Sequence, residues 1–163
     1  MSTAYIAIGS NLGDKRKNCD RGIDALDRIR DITVTARAGM YKTAPVDYTD
    51  QDWFVNTVVR IETDLAPDDL LARIKQIERD AGRDKGGLRF GPRILDLDII
   101  FYDDLVLRTA ALEIPHPRMH KRRFVLRPIC DIAPSAMHPT LKTSVKALLE
   151  AVDDPDQDIE LLR

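Results

Sequence analysis

Seven residues, Ile94-Leu95-Asp96-Leu97-Asp98-Ile99-Ile100, constrain this chain more than any others. Apolar and acidic residues alternate there, and a strict period of two is the signature of a β-strand. Side chains at i and i+2 of a strand share a face, so Asp96 and Asp98 point one way and Leu95, Leu97 and Ile99 the other. Asp is disfavoured inside strands, and two of them on one face stand only ~6–7 Å apart at a rise of ~3.3 Å per residue. Like charges at that spacing repel unless a cation lies between them. Hard oxygen donors on a rigid strand suit Mg²⁺, which keeps waters and takes substrate phosphates as further ligands. The competing reading is a solvated strand face with two inert aspartates, and from the pair alone the two weigh about equally.

The surroundings tip that balance. Arg93 lies three residues before Asp96, and residues 84–92 hold three glycines and a proline, a loop with freedom to move. Arg73 to Arg93 carries seven Lys or Arg against three acids, and His116 to Arg127 carries five with no acid. Arg73, Lys75 and Arg79 read as a solvated helix face. Arg83, Lys85 and Arg93, on or beside the glycine-rich loop, read as functional, because the planar guanidinium fork matches phosphate oxygens and a loop can swing cations onto a substrate. His116, between Pro115 and Pro117, suits a phosphate or metal-water contact, whereas His138 beside Pro139 reads as structural.

The rest of the chain supplies one scaffold. Tyr5-Ile6-Ala7-Ile8 reads as a buried strand turning at Gly9, with Asn11 or Asp14 capping the helix that follows over about 15–30. Strand pieces are expected at 33–36 and 39–43, a loop at 44–52, and a strand at 54–61 from its β-branched residues. Pro67-Asp68-Asp69 opens a second helix and Gly82 stops it. Pro115, Pro117 and Pro128 divide the next region into extended segments. Thr143 or Ser144 caps a last helix. The order β-α-β-β-α-β with additions is a split βαβ, ferredoxin-like α+β pattern: an antiparallel sheet with helices packed on it and extra C-terminal elements. No repeat or linker interrupts it, so residues 1–163 are expected to form a single domain. Asp153, Asp154, Asp156, Asp158 and Glu160 read as a bare acidic tail.

Composition excludes several classes. The net charge of -2 argues against a nucleic-acid coat, and only 6% of residues are aromatic, against an RNA-binding sheet. No apolar run approaches the ~20 residues of a membrane span, and the start reads as a cytoplasmic N-terminus. Cys19 and Cys130 lack metal or disulfide spacing and read as reduced thiols. GxxxxGK[ST] and GxGxxG are absent, which sets aside a P-loop kinase and a Rossmann oxidoreductase, and GxSxG and HExxH are absent too. A metal-dependent nuclease or phosphohydrolase using the Asp pair remains a rival.

Five blocks then carry a resemblance: residues 5–13 (Tyr5 to Gly13), Phe54-Val55-Asn56, Phe90-Gly91-Pro92-Arg93-Ile94-Leu95-Asp96-Leu97-Asp98-Ile99, Ile114-Pro115-His116-Pro117-Arg118-Met119 and Ile132-Ala133-Pro134. In this order they resemble the 6-hydroxymethyl-7,8-dihydropterin pyrophosphokinases, and the third block is the most specific. The resemblance implies transfer of the terminal pyrophosphate of ATP to the pterin hydroxymethyl group, release of AMP, two Mg²⁺ ions, and a place in folate synthesis. It implies that Asp96 and Asp98 bind the metal, and that Arg83 and Arg93 act on the transferred phosphates. It places Thr43, Val46, Phe54, Asn56 and Phe124 at the pterin, and Glu78, Lys85, Ile99, His116 and Arg122 near ATP. An amide such as Asn56 can donate to and accept from a pterin edge, and two aromatic rings can sandwich it. Partners are expected to be these two small molecules, with no nucleic acid or membrane, and the protein a monomer. Phe90 stands where many members have Trp, Ala44 where a second proline often precedes Pro45, and Lys85 and Ala111 where some have Arg.

Overall fold

The computed structural model describes residues 1–45, 50–82 and 94–163. Its centre is an antiparallel sheet of six strands: β1 (Ser2–Ser10), β2 (Ile32–Arg37), β3 (Tyr41–Thr43), β4 (Phe54–Thr63), β5 (Asp96–Tyr102) and β8 (Ile159–Leu161). They run in the order β5-β1-β4-β3-β8, and β2 pairs with β4 farther along that strand. A separate ribbon joins β6 (Leu107–Arg108) to β7 (Glu113–Ile114). The ferredoxin-like α+β expectation is met.

Helices α1 (Lys15–Asp27) and α2 (Pro67–Asp80) pack on one face. Asp14 caps α1 by accepting from the Lys17 N–H at 3.2 Å. Asn11, the other candidate, instead donates to Gln51 Oε1 at 2.7 Å and to the Asp52 carbonyl at 3.3 Å. Pro67 starts α2 where a missing N–H costs nothing, and Gly82 takes φ +94° just beyond its end. Cys19, Ile23 and Leu26 of α1 and Leu70, Ile74 and Ile77 of α2 close over Ile6, Ile8, Val59, Ile61 and Leu97 of the sheet.

The opposite face carries α3 (Arg123–Ile132) and α4 (Val145–Ala151), preceded by a 3₁₀ turn at Met119–Lys121. Here the sequence reading needs correction. Pro128 lies inside α3, not in an extended segment. It removes the N–H that would have bonded the Phe124 carbonyl, a cost of ~3 kcal/mol in a helix interior. Val125, Leu126 and Ile129, each at most 2% exposed, bury enough apolar surface at ~25 cal/mol per Å² to exceed it. Ser144, not Thr143, caps α4, its Oγ accepting from the Ala147 N–H at 3.1 Å. The acidic C-terminal run is not bare either, since Ile159–Leu161 pairs with Thr43–Tyr41.

A bulge in β5 divides that strand. Tyr5 pairs with Phe101 and Ile6 with Ile99, leaving Ile100 as the additional residue. Leu97 and Ile99 therefore face α1 and α2, whereas Ile100 and Phe101 both face α3 and α4. Among the described residues, no helix is long and apolar enough to cross a membrane.

Candidate active site

Helices α3 and α4 cover only part of their face, and the strand register shows what occupies the remainder. Gly9 of β1 pairs with Asp96 of β5 on one side and with Asn56 of β4 on the other. Asn56 pairs in turn with Tyr41 of β3. Directly paired residues share a face, so Asp96, Gly9, Asn56 and Tyr41 form one row across four strands. The neighbouring row runs Asp98, Ala7, Val58 and continues into the α3/α4 core at Val58. Carboxylates thus stand at one end of an open floor and an amide at the other, and each strand step is ~4.8 Å.

Gly9 is what makes the floor. A Cβ built there would lie 2.5 Å from Asn56 Oδ1, closer than any non-bonded contact allows. Only a bare backbone lets the Asn56 side chain lie across it. Asn56 Nδ2 donates to Thr43 Oγ1 at 2.7 Å, and both residues are buried. Phe54, opposite Thr43, is half-buried beside them. Thr43, Phe54 and Asn56 therefore meet at one end of the floor.

At the other end, Asp96 and Asp98 are half-buried and Glu78 of α2 is 1% exposed. Glu78 Oε2 accepts from the Leu97 N–H at 2.8 Å and Oε1 from Lys75 Nζ at 3.2 Å. It thereby fixes the height of β5 between the two aspartates. Burial raises the Glu78 pKa, the Leu97 N–H pulls it back, and Asp96 raises it again. Asp98 is pushed up to about 7, first by burial and then by the Asp96 charge, with Lys75 and Arg122 opposing. Carboxylates partly withdrawn from water beside one another are a setting in which a bound cation is favoured. Among the described residues, no group of three or more His, Cys, Asp or Glu converges on one point. A closed metal cage is therefore not what the described residues build. An open pair that leaves coordination positions for phosphate and water fits Mg²⁺.

His116 is pinned to β5 by its N–H, which donates to the Ile100 carbonyl at 3.1 Å. Its Nδ1 accepts from the Arg118 N–H at 3.2 Å, which leaves the ring proton on Nε2. Burial, then Arg122 and Arg118, lower its pKa to about 4, so it is neutral at ordinary pH. Arg122 stands at the start of α3 with its guanidinium 5.4 Å from the centre of the half-buried Phe124 ring. Ile99 is different: its side chain lies in the α1/α2 core, 3% exposed. Only its backbone, on the edge strand, could face a nucleotide. Val46, Arg83, Lys85 and Arg93, with Phe90, lie outside the described residues. Ala111 is exposed in the turn between β6 and β7.

Two contributors escaped the sequence reading. Gly9 was legible only as a turn, because its function depends on which residues lie beside it in the sheet. Asp131 of α3 accepts from the Tyr41 hydroxyl at 2.6 Å and the Gly39 N–H at 3.2 Å, clamping β3 to the helix that bears Phe124. The available signal was an aspartate set in a mostly apolar stretch, Pro128 to Ile132.

Fold and site together define a class: an α+β sandwich with one sheet face left partly open over a carboxylate pair and a buried amide. Within that class, the chain belongs to the family of 7,8-dihydro-6-hydroxymethylpterin-pyrophosphokinases, whose model matches residues 5–134. A Bacillus subtilis 2-amino-4-hydroxy-6-hydroxymethyldihydropteridine pyrophosphokinase is 43% identical over 129 residues, covering 79% of this chain and 77% of that protein. The Dictyostelium discoideum folic acid synthesis protein FOL1 is 47% identical over 137 residues, which is 84% of this chain but 20% of that protein. The chain thus spans about a fifth of the length of that longer relative. A crystal structure of Plasmodium falciparum HPPK-DHPS with pteroate superposes with a TM-score of 0.75 at 14% identity, covering 91% of this chain and 42% of that one, and it supports the fold.

Proposed function

We propose that the protein transfers pyrophosphate from ATP to 6-hydroxymethyl-7,8-dihydropterin, yielding the pterin diphosphate and AMP. The observation that carries this reading is the row Asp96–Gly9–Asn56: a flat floor with an anion-repelling, cation-seeking end and an amide end, two strands apart. A flat heterocycle with hydrogen-bonding edges suits the amide end, and a polyphosphate neutralised by a divalent cation suits the carboxylate end.

Asp96 and Asp98 are the residues that would hold Mg²⁺, two ions by the family resemblance. The ion would supply charge neutralisation at the phosphates. The chain's own residues do the rest. Asn56 and Thr43 orient the pterin edge, with Phe54 and Phe124 against its faces. His116, neutral and carrying its proton on Nε2, can donate to a nucleotide oxygen. Arg122 brings positive charge beside Asp98 and His116. Glu78 positions β5 and does not itself need to touch ATP. Arg83, Lys85 and Arg93 are assigned to the phosphates, and Val46 to the pterin, from the sequence resemblance. The pterin hydroxyl oxygen forms a bond to the β-phosphorus and gives up its proton to water, as the β-phosphorus bond to the oxygen bridging it to the α-phosphorus breaks and AMP leaves with that oxygen. Such a reaction is catalysed mainly by positioning and by charge stabilisation, so a protein general base is unnecessary. A monomeric, cytoplasmic enzyme is the accompanying reading from the sequence, and its working as one domain is supported by the single sheet that joins strands from β1 to β8.

The test is incubation with ATP, Mg²⁺ and the pterin, followed by nucleotide chromatography. One AMP per pterin consumed is expected. ADP as product, or nucleotide turnover indifferent to pterin, overturns the reading and favours a phosphohydrolase.

A further inference from the structure

The C-terminal segment makes contacts that neither solubility nor the chemistry above requires. Helix α3 starts at Arg123 without a side-chain cap of its own, because Arg122 occupies the N-cap position and accepts nothing with its side chain. The exposed N–H groups of a helix start need acceptors. One comes from 34 residues away: the Arg123 N–H donates to Gln157 Oε1 at 2.9 Å. Gln157 Nε2 in turn donates to the Lys121 carbonyl at 2.9 Å and to Asp154 Oδ2 at 3.2 Å. The glutamine side chain therefore bonds on both sides of Arg122.

Arg123 reciprocates. Its Nη1 donates to the carbonyls of Asp154 at 2.7 Å and Gln157 at 3.1 Å, and its Nη2 to the Val152 carbonyl at 3.0 Å. Val152 is the C-cap of α4, the end of a helix where a cation is favoured. Lysine has no planar fork to reach three carbonyls in this way. Beyond Gln157 the chain continues onto the sheet. The Asp158 carbonyl accepts from the Ala44 N–H at 3.0 Å, and Ile159, Glu160 and Leu161 pair with Thr43, Lys42 and Tyr41. One continuous stretch thus ties the first turn of α3, which bears Arg122 and Phe124, to β3, which bears Thr43.

We propose that residues 152–161 form a brace that sets the distance between these two walls of the site, with Arg123 and Gln157 as positioning residues for substrate binding. The inference rests on the function proposed above for its consequence in catalysis, though not for its structural content. A helix start deprived of its acceptor frays, and here the fraying residues are the ones assigned to both substrates. The contacts lie away from the reacting phosphates, so binding should suffer more than the chemical step.

The test compares Gln157→Ala, Arg123→Ala and Arg123→Lys with Lys146→Ala, an exposed control on α4. Amide hydrogen exchange and steady-state kinetics are measured on each. Loss of a cap corresponds to roughly a 3–30-fold change in equilibrium. Expected are a faster exchange of amides 123–126 by that factor in Gln157→Ala, unchanged exchange within α1, a ~3–30-fold rise in KM for pterin and ATP, and kcat within about threefold. Arg123→Lys should recover part of the loss in Arg123→Ala, and Lys146→Ala should match the wild type. Unchanged exchange at 123–126 in Gln157→Ala overturns the proposal. So does a fall in kcat at constant KM, or a uniform rise in exchange across all helices, which would mark a merely structural role. If Arg123→Ala does not fold, Gln157→Ala and Arg123→Lys still decide. If the wild type makes no pterin-dependent AMP, the functional reading fails, and the exchange at 123–126 still judges the brace.

Discussion

The two faces of the sheet are built from the same strands and put to opposite uses. Beneath α1 and α2 the sheet is closed and mainly apolar, and its buried Thr57 and Thr63 hydroxyls donate to backbone carbonyls. Beneath α3 and α4 the apolar cover stops partway, and the next residues on the same strands are Asp96, Asp98, Gly9 and Asn56. Alternation alone achieves this: Leu97 and Asp98 are neighbours in the chain, and one supports the fold while the other sacrifices stability for a site. The comparison teaches that the closed face supplies the stability on which a carboxylate pair under an open floor depends.

Substitutions on adjacent β5 residues separate the two uses. Leu97→Ala should cost about 3–5 kcal/mol of unfolding free energy, the range for a fully buried leucine, read by urea denaturation. Asp98→Ala should do the reverse, keeping the fold and lowering kcat by ~10²–10³-fold, about 2.7–4 kcal/mol, the scale of losing an electrostatic stabiliser. Full activity in a folded Asp98→Ala protein would remove the metal assignment. A destabilisation equal to that of Leu97→Ala would erase the distinction between the faces.

The open face should also show in the pH dependence of the metal-free protein. Asp98 has a folded pKa of about 7 against about 4 unfolded. The folded state therefore holds the extra proton in that window. Its contribution is complete below the unfolded value and is lost as pH rises through the folded one. Melting in EDTA should show stability falling between pH 4 and pH 7 by a few kcal/mol at most, less in Asp98→Asn, and partly regained when Mg²⁺ is added at pH 8. A slope that survives Asp98→Asn would place its origin elsewhere. The smallest effect is expected at the floor. Gly9→Ala should displace Asn56 and raise KM for pterin about tenfold, ~1.4 kcal/mol, the scale of one hydrogen bond. An unchanged KM would show that the floor tolerates a methyl group.

How much of this was legible depended on the range of the interaction. The alternation around Asp96 and Asp98, the Pro67 and Gly82 bounds of α2 and the Ser144 cap are local, and local chemistry specifies them. Helix α3 was missed because Pro115, Pro117 and Pro128 argue locally for extended chain, while burial of Val125, Leu126 and Ile129 decides otherwise. Strand β8 was hidden by its acids, since pairing with β3 needs only backbone and leaves Glu160 exposed. The Asn56 end of the site was read by resemblance. The row that joins it to Asp96 through Gly9 depends on the register of three strands, which no single segment encodes. Lys75, read as part of a solvated helix face, is half-buried and paired with Glu78. Lys75 and Arg122 act on Asp98, and the sum over the chain says little about them.

The extra residue in β5 means that the strand keeps two phases. Asp98 and Phe101 are three positions apart, so uninterrupted alternation would send them to opposite sides; Ile100 resets the count and returns both to one side. The half assigned to substrate and the half that packs under α3 and α4 thus share a side without sharing one unbroken alternation. Deleting Ile100 would leave Asp98 and Phe101 two positions apart, still on one side by plain alternation, and would straighten the strand at the cost of one apolar side chain in the α3/α4 core.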